Sequence, residues 1–140
     1  MVGIDYHISV LAVLVCGVAS LVIGFVWYGP LFGKAWAGYS GWTEEKVKAI
    51  PPSRMASTYL LSFAAALVTA YALAVIIRAM GIVRIGDGLT LGLVTGIGFA
   101  AMAFATTFLF EHKPLGHWLI VSGYQVVYTV VAAVIITLWR

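Results

Sequence analysis

Of 140 residues, 63% are hydrophobic and 9% charged, with a mean hydropathy of +1.06, whereas a soluble domain is nearer half apolar and a quarter charged. A chain of 15.0 kDa has too little interior to hide that much aliphatic surface from water, so lipid is the solvent these side chains require. The formal charge of +3 comes from scattered Lys and Arg, a spread that suits anionic headgroups and, without a basic stripe or recognition motif, excludes a nucleic-acid partner.

Hydropathy divides the chain four times. Residues 8–28, 57–77, 89–110 and 117–138 each run without Asp, Glu, Lys or Arg. At a rise of about 1.5 Å per residue, each run covers roughly 30 Å, the thickness of the hydrocarbon layer. Helix is the conformation expected, because an open strand would leave backbone groups unpaired in lipid. The first run is read as retained rather than cleaved: Ala35-Trp36-Ala37 has the spacing of a cleavage site, but MVGIDYH has no Lys or Arg and the apolar stretch outlasts a signal core. Cys16, the only cysteine, forms no intramolecular disulfide and is read as a packing residue.

The first span ends in WYGPLFGKAW. Trp27 and Tyr28 are predicted at headgroup level, where amphipathic rings settle. Gly29 before Pro30 predicts an end or kink there, with Pro30 opening a new short helix along which Phe32, Lys34 and Trp36 lie at the interface. Next, Thr43 is a predicted N-cap, with Glu44 and Glu45 in the first turn, and Trp42 sits before the cap. Residues 30–50 are thus expected to form a short amphipathic segment on the membrane surface. Asp87 is predicted to cap the third span, and Pro114 to turn the chain so that the third and fourth spans lie antiparallel. The fold expected is an all-α integral membrane protein: one domain, residues 1–140, with four transmembrane helices in an antiparallel bundle and an interfacial amphipathic helix between the first two.

Lys34, Lys46, Lys48, Arg54 and Lys113 fall on one side of these spans, and Arg78, Arg84 and Arg140 on the other. The positive-inside rule places the long first loop in the cytoplasm and both termini outside, in a bacterial cytoplasmic membrane.

The motif Trp27, Tyr28, Gly29, Phe32, Gly33, Lys34 and Trp36, followed by Trp42-Thr43-Glu44-Glu45 and by Gly123-Tyr124 in the last span, resembles the family called domain of unknown function 1761. The resemblance extends over nearly the whole chain. It implies a small four-span membrane protein and brings no established activity or catalytic residue. Many members of that family carry an acidic or amide residue near the position of Ser122, where this chain has serine.

No charged side chain enters any span, which weighs against an ion-coupled pump. The polar groups at depth are neutral. Ser122, Gln125 and Thr129 form one stripe on the fourth span, with His117, Tyr124 and Tyr128 beside it. Gln125 lies near mid-span, where an unpaired amide costs roughly 2–7 kcal/mol. It must find a partner, either an interhelical hydrogen bond or a ligand cavity. Ala12, Cys16, Ser20 and Gly24 form a small-residue row on the first span, and Gly92, Gly96 and Ala100 another on the third. Such rows serve close packing within the chain or self-association. Glu111, His112 and His117 share an interface as weak metal candidates, with a Glu111–Lys113 or Glu111–Arg54 surface pair the plainer reading. No metal or cofactor is expected.

Three functions compete. The first is a non-enzymatic subunit, self-associating or accessory to a larger membrane assembly. The second is a small-molecule channel or transporter with a path along Ser122, Tyr124, Gln125, Tyr128 and Thr129, joined by Ser62, Thr69 and Thr95. The third is a membrane enzyme of the four-span size class of the trimeric glutathione transferases, an analogy of architecture alone.

Overall fold

The computed structural model describes residues 7–139, and every regular element among them is helical. In chain order these are α1 (Val10–Val26), a π-helical turn (Trp27–Leu31), α2 (Gly33–Ser40), α3 (Glu44–Lys48), α4 (Pro52–Met80), α5 (Ile85–Thr95), a second π-helical turn (Gly96–Ala101), α6 (Met102–Phe110) and α7 (Leu115–Leu138). Joined across the two π turns, they make four helices long and apolar enough to cross a membrane: Val10–Leu31, Pro52–Met80, Ile85–Phe110 and Leu115–Leu138. Three of them start before the apolar run that predicted them, and the second also outlasts its run. The ends carry side chains such as Arg54 and Arg78, whose stems reach back to water while the helix continues.

Local chemistry sets most of the boundaries. Ser9 caps α1 by accepting from the Ala12 N–H at 3.2 Å, and Thr43 caps α3 by accepting from Lys46 at the same distance. Pro52 opens α4, where its missing N–H costs nothing. Gly41 and Gly81, at φ 73° and 63°, close α2 and α4 in the left-handed conformation that a side chain disfavours. Asp87 departs from expectation. It sits in the first turn of α5, while Arg84 holds the cap position without a side-chain cap bond.

The Gly29-Pro30 break also departs from expectation. The helix does not end there but widens, with the Phe32 N–H donating to the Trp27 carbonyl five residues back at 2.9 Å. Pro30 lies inside this turn rather than opening α2. A proline ring collides with the carbonyl four residues earlier, and the wider winding of a π turn relieves that collision.

The longest buried face belongs to α7, against which α1, α4 and α5 with its π turn all pack; α1 also packs on α4. The registers show how. Trp27, Gly24 and Cys16 of the first span meet Ile120, Tyr124 and Ala132 of α7, and Gly88 and Gly92 of α5 with Gly96 of the following π turn meet Thr137, Val130 and Val126. The closest-packed core consists of Val13, Cys16, Ala66, Ala70, Leu73, Tyr128 and Ala132, mostly small residues that let helix backbones approach.

Both small-residue rows face neighbours within the chain. Ala12, Cys16 and Ser20 are buried, and Gly24 lies under the Tyr124 ring. Gly92 and Gly96 lie against α7, but the row ends at buried Ala101 instead of half-exposed Ala100. The π turn inserts one residue, so the inward position shifts by one.

Candidate functional site

The polar side chains around α7 fall into two groups. Members of the first group end on backbone carbonyls of neighbouring helices, which keep a second lone pair after their own helical bond. Tyr124 donates its hydroxyl to the Ser20 carbonyl at 3.1 Å, Tyr128 to Ala66 at 2.5 Å and Thr129 to Gly92 at 3.1 Å. The indoles of Trp27 and Trp118 donate to Ile120 and Ala101, each at 2.9 Å. These bonds tie every spanning helix to α7 at depths where water does not compete.

The second group lines a cleft. Gly17 lies against Phe63 and Leu67, while α1 from Ser20 onward and α4 between Tyr59 and Thr69 line one cavity. It is half-open, about 810 Å³ in volume and floored by α7. Leu21, Gly24, Phe25 and Tyr28 form one wall, Tyr59, Ser62, Ala65 and Thr69 the other, and Tyr124, Gln125 and Tyr128 the floor. Among the described residues, none that lines it is charged. Tyr28 is turned inward by the π turn and held by ring contacts at 5.5 Å to Tyr124 and 5.6 Å to Trp36.

Gln125 is half-buried on this floor and makes no hydrogen bond with any described residue. Of the two expected outcomes, an interhelical bond or a cavity, Gln125 meets the cavity. The hydroxyls of Tyr28, Tyr59 and Ser62 likewise lack a partner among the described residues, whereas Thr69 returns its proton to the Ala65 carbonyl at 3.1 Å.

The predicted path residues therefore separate. Tyr124, Gln125, Tyr128, Ser62 and Thr69 come together at the cleft. Ser122, Thr129 and Thr95 do not. Ser122 is buried with no partner for its Oγ among the described residues, Thr129 sits at the α5 crossing, and Thr95 bonds its own helix at 2.8 Å. Phe25 and Tyr59 were not singled out from sequence. Tyr59 stands seven residues into α4, level with the Tyr28 end of α1, and this shared depth was the available signal.

Of the predicted interface anchors, Trp27 seats its ring on Gly123 and meets Phe32 at a tilt, 4.7 Å between ring centres. Lys34 and Trp42 are exposed, and Trp36 is half-buried beside Tyr28. His117 is buried, stacked on Tyr39 at 5.9 Å and edge-on to Phe108 at 4.9 Å, with its Nε2 3.4 Å from the Ser40 hydroxyl. His112 is exposed at φ 55°, and Glu111 pairs with Lys113 at 2.7 Å. Among the described residues, no three His, Cys, Asp or Glu side chains gather as metal ligands would.

A second cavity of about 310 Å³ lies at the opposite end, between Ser9, Val13, Ile77, Arg78, Ile136 and Trp139. The fully buried Cys16, Ala70 and Ala132 lie between the two cavities.

A protein-family model described as a protein of unknown function, DUF1761, matches residues 11–137. No curated protein and no solved structure matches the chain.

Proposed function

The chain belongs to the DUF1761 family of proteins of unknown function, and from that premise we propose a non-catalytic integral membrane protein that draws a small uncharged molecule from the lipid into the α1–α4 cleft. One observation carries the reading: a cavity of about 810 Å³, within the size range of ligand sites, has an unpaired amide on its floor and no charge on its walls. An amide left without a partner in hydrocarbon costs several kcal/mol, on the order of 2–7, so an occupant that completes it is favoured. Binding is preferred to conduction because the closed core at Cys16, Ala70 and Ala132 separates this cavity from the one at the other end.

The same reading makes residues 1–140 one membrane domain with an antiparallel bundle, supported by the opposed registers of α1 and α5 against α7. Residues 30–50 lie along the headgroup layer, a placement supported by Trp36, Trp42, Lys34 and Lys46. By charge, that layer is cytoplasmic, in a bacterial inner membrane, and both termini are outside. The test uses native mass spectrometry after gentle detergent extraction. The wild-type chain is expected to carry a stoichiometric uncharged molecule, and Ser62→Trp, which fills the cleft, is expected to lose it. A wild-type spectrum of the bare chain alone would remove the reading.

A second reading, self-association or docking as a subunit of a larger assembly, rests on the third span. Only 17% of its apolar window is buried, against 39% for the fourth. Leu93, Ile97, Phe99 and Met102 are exposed along it. Light scattering in a mild detergent is expected to give a defined oligomer or larger complex, and a monodisperse monomer would count against it.

A further inference from the structure

We infer that His117 is a proton-operated latch: neutral, it holds α2 against the start of α7, and its protonation releases α2 and with it the Trp36 contact on Tyr28 at the cleft. The latch works whether or not the cleft carries a molecule. His117 is the third residue of α7 and only 6% exposed. Tyr39 of α2 lies parallel to its ring at 5.9 Å, Phe108 of α6 meets it edge-on at 4.9 Å, and the Ser40 hydroxyl stands 3.4 Å from Nε2. Gly116 adds to the fit, since a Cβ there would run into the Tyr39 ring. Nδ1 is buried and has no hydrogen-bond partner among the described residues.

That last atom sets the protonation state. A neutral imidazole carries one N–H and one bare nitrogen. With the N–H on Nε2, the Ser40 hydroxyl accepts it and Nδ1 keeps only a lone pair. A second proton must go to Nδ1, where a buried N–H would have no acceptor, an arrangement that folded proteins rarely keep. The groups around the ring do not compensate. α2 brings Tyr39 and the exposed Lys34, α6 brings no titratable side chain, and the turn after it brings Glu111, His112 and Lys113. Lys113 already sets its ammonium 4.9 Å over the Phe108 ring, Glu111 is engaged with Lys113 at 2.7 Å, and His112 is exposed. The Tyr39 face attracts a cation weakly, but a ring stacked parallel to the imidazole leaves its in-plane N–H unmet. With α2 lifted away, His117 faces headgroup water and Nδ1–H finds a partner. The released form therefore binds one more proton than the latched form, so the latch holds above the ordinary imidazole range near about 6.5 and weakens as pH falls through it. Trp36 stands one helical turn before Tyr39 and Ser40, 5.6 Å from the Tyr28 ring. Movement of α2 thus reaches the Tyr28 wall of the cleft.

The experiment places a nitroxide on Ala35→Cys, an exposed position of α2, in the purified full-length chain in phosphatidylcholine vesicles. Cys16 is buried and takes no label. Spectra are followed from about pH 8 to about pH 5, on either side of the imidazole range. The ratio of mobile to immobile label is expected to rise about tenfold as pH falls, the effect of one orphaned N–H. His117→Phe keeps an aromatic ring between Tyr39 and Phe108 but takes no proton, so its label should stay immobile throughout. His112→Gln, which changes the exposed neighbour, should titrate like wild type. Lys113→Gln leaves His117 in place and removes the positive charge over Phe108, so its midpoint should move to higher pH. A wild-type spectrum that does not change with pH would overturn the latch. So would a transition that persists in His117→Phe or vanishes in His112→Gln, or a Lys113→Gln midpoint at lower pH.

Discussion

Gly92→Leu is expected to lower the melting temperature of the detergent-solubilised protein by about 10 °C, the shift that roughly 3 kcal/mol of overpacking produces in a chain of this size. A Cβ added at Gly92 would stand 2.6 Å from the Val130 Cα and 2.9 Å from the Thr129 carbonyl oxygen. Both are backbone atoms of α7, so neither can turn aside as a flexible side chain would. The helices must separate, and the Thr129 bond to the Gly92 carbonyl at 3.1 Å is lost with them. Even Gly92→Ala should show part of the loss. Gly98→Ala, where nothing stands within 4 Å of the added carbon, is the matched control and should melt like wild type. Circular dichroism or a thiol-independent thermal shift assay reads both, and an unchanged melting point for Gly92→Leu would mean that α5 does not approach α7 this closely.

The contrast between Gly92 and Gln125 shows what the amino-acid pattern discloses. Spacing of small residues along one helix is a local property, and Gly92, Gly96, Cys16 and Ser20 could be read as close-packing positions from their intervals alone. The four membrane-crossing helices were equally legible, because hydropathy over some twenty residues is summed along a single segment. Three features were not. The π turns at Trp27–Leu31 and Gly96–Ala101 change the winding without changing composition, so the inward position moved from Ala100 to Ala101 unannounced. The lack of a partner for Gln125 goes with the cavity between α1 and α4 that it lines, a property of two distant segments. Ser122 and Thr129 share a stripe with Gln125 on α7, yet they are buried away from the cleft. A stripe defines a helix face, while the cavity is defined by whatever fails to cover it.

Trp27→Ala is expected to be the most disruptive substitution at the Tyr28 end of the cleft, costing about 2–3 kcal/mol, below the range for fully buried aromatics because its ring is half-buried. Its sequence position suggested an anchor lying among headgroups, but its indole does three things inside the protein. It donates to the Ile120 carbonyl at 2.9 Å, lies over Gly123 and meets Phe32 at 4.7 Å. It thereby fixes the end of the first span to α7 at the π turn that also aims Tyr28 into the cleft. Loss of the hook should free residues 30–50 as well as lower stability, because the remaining ties of that segment to α7 include little more than the Tyr39 ring against His117 and Gly116 and the 3.4 Å contact of Ser40 with His117. Limited trypsin digestion in detergent should then cut at Lys34, Lys46 or Lys48 several-fold faster than in wild type, while Trp27→Phe, which keeps the ring and loses only the N–H, should lose about 1 kcal/mol and cut at nearly the wild-type rate. Equal cleavage of Trp27→Ala and wild type would mean that residues 30–50 are not held to α7 through Trp27.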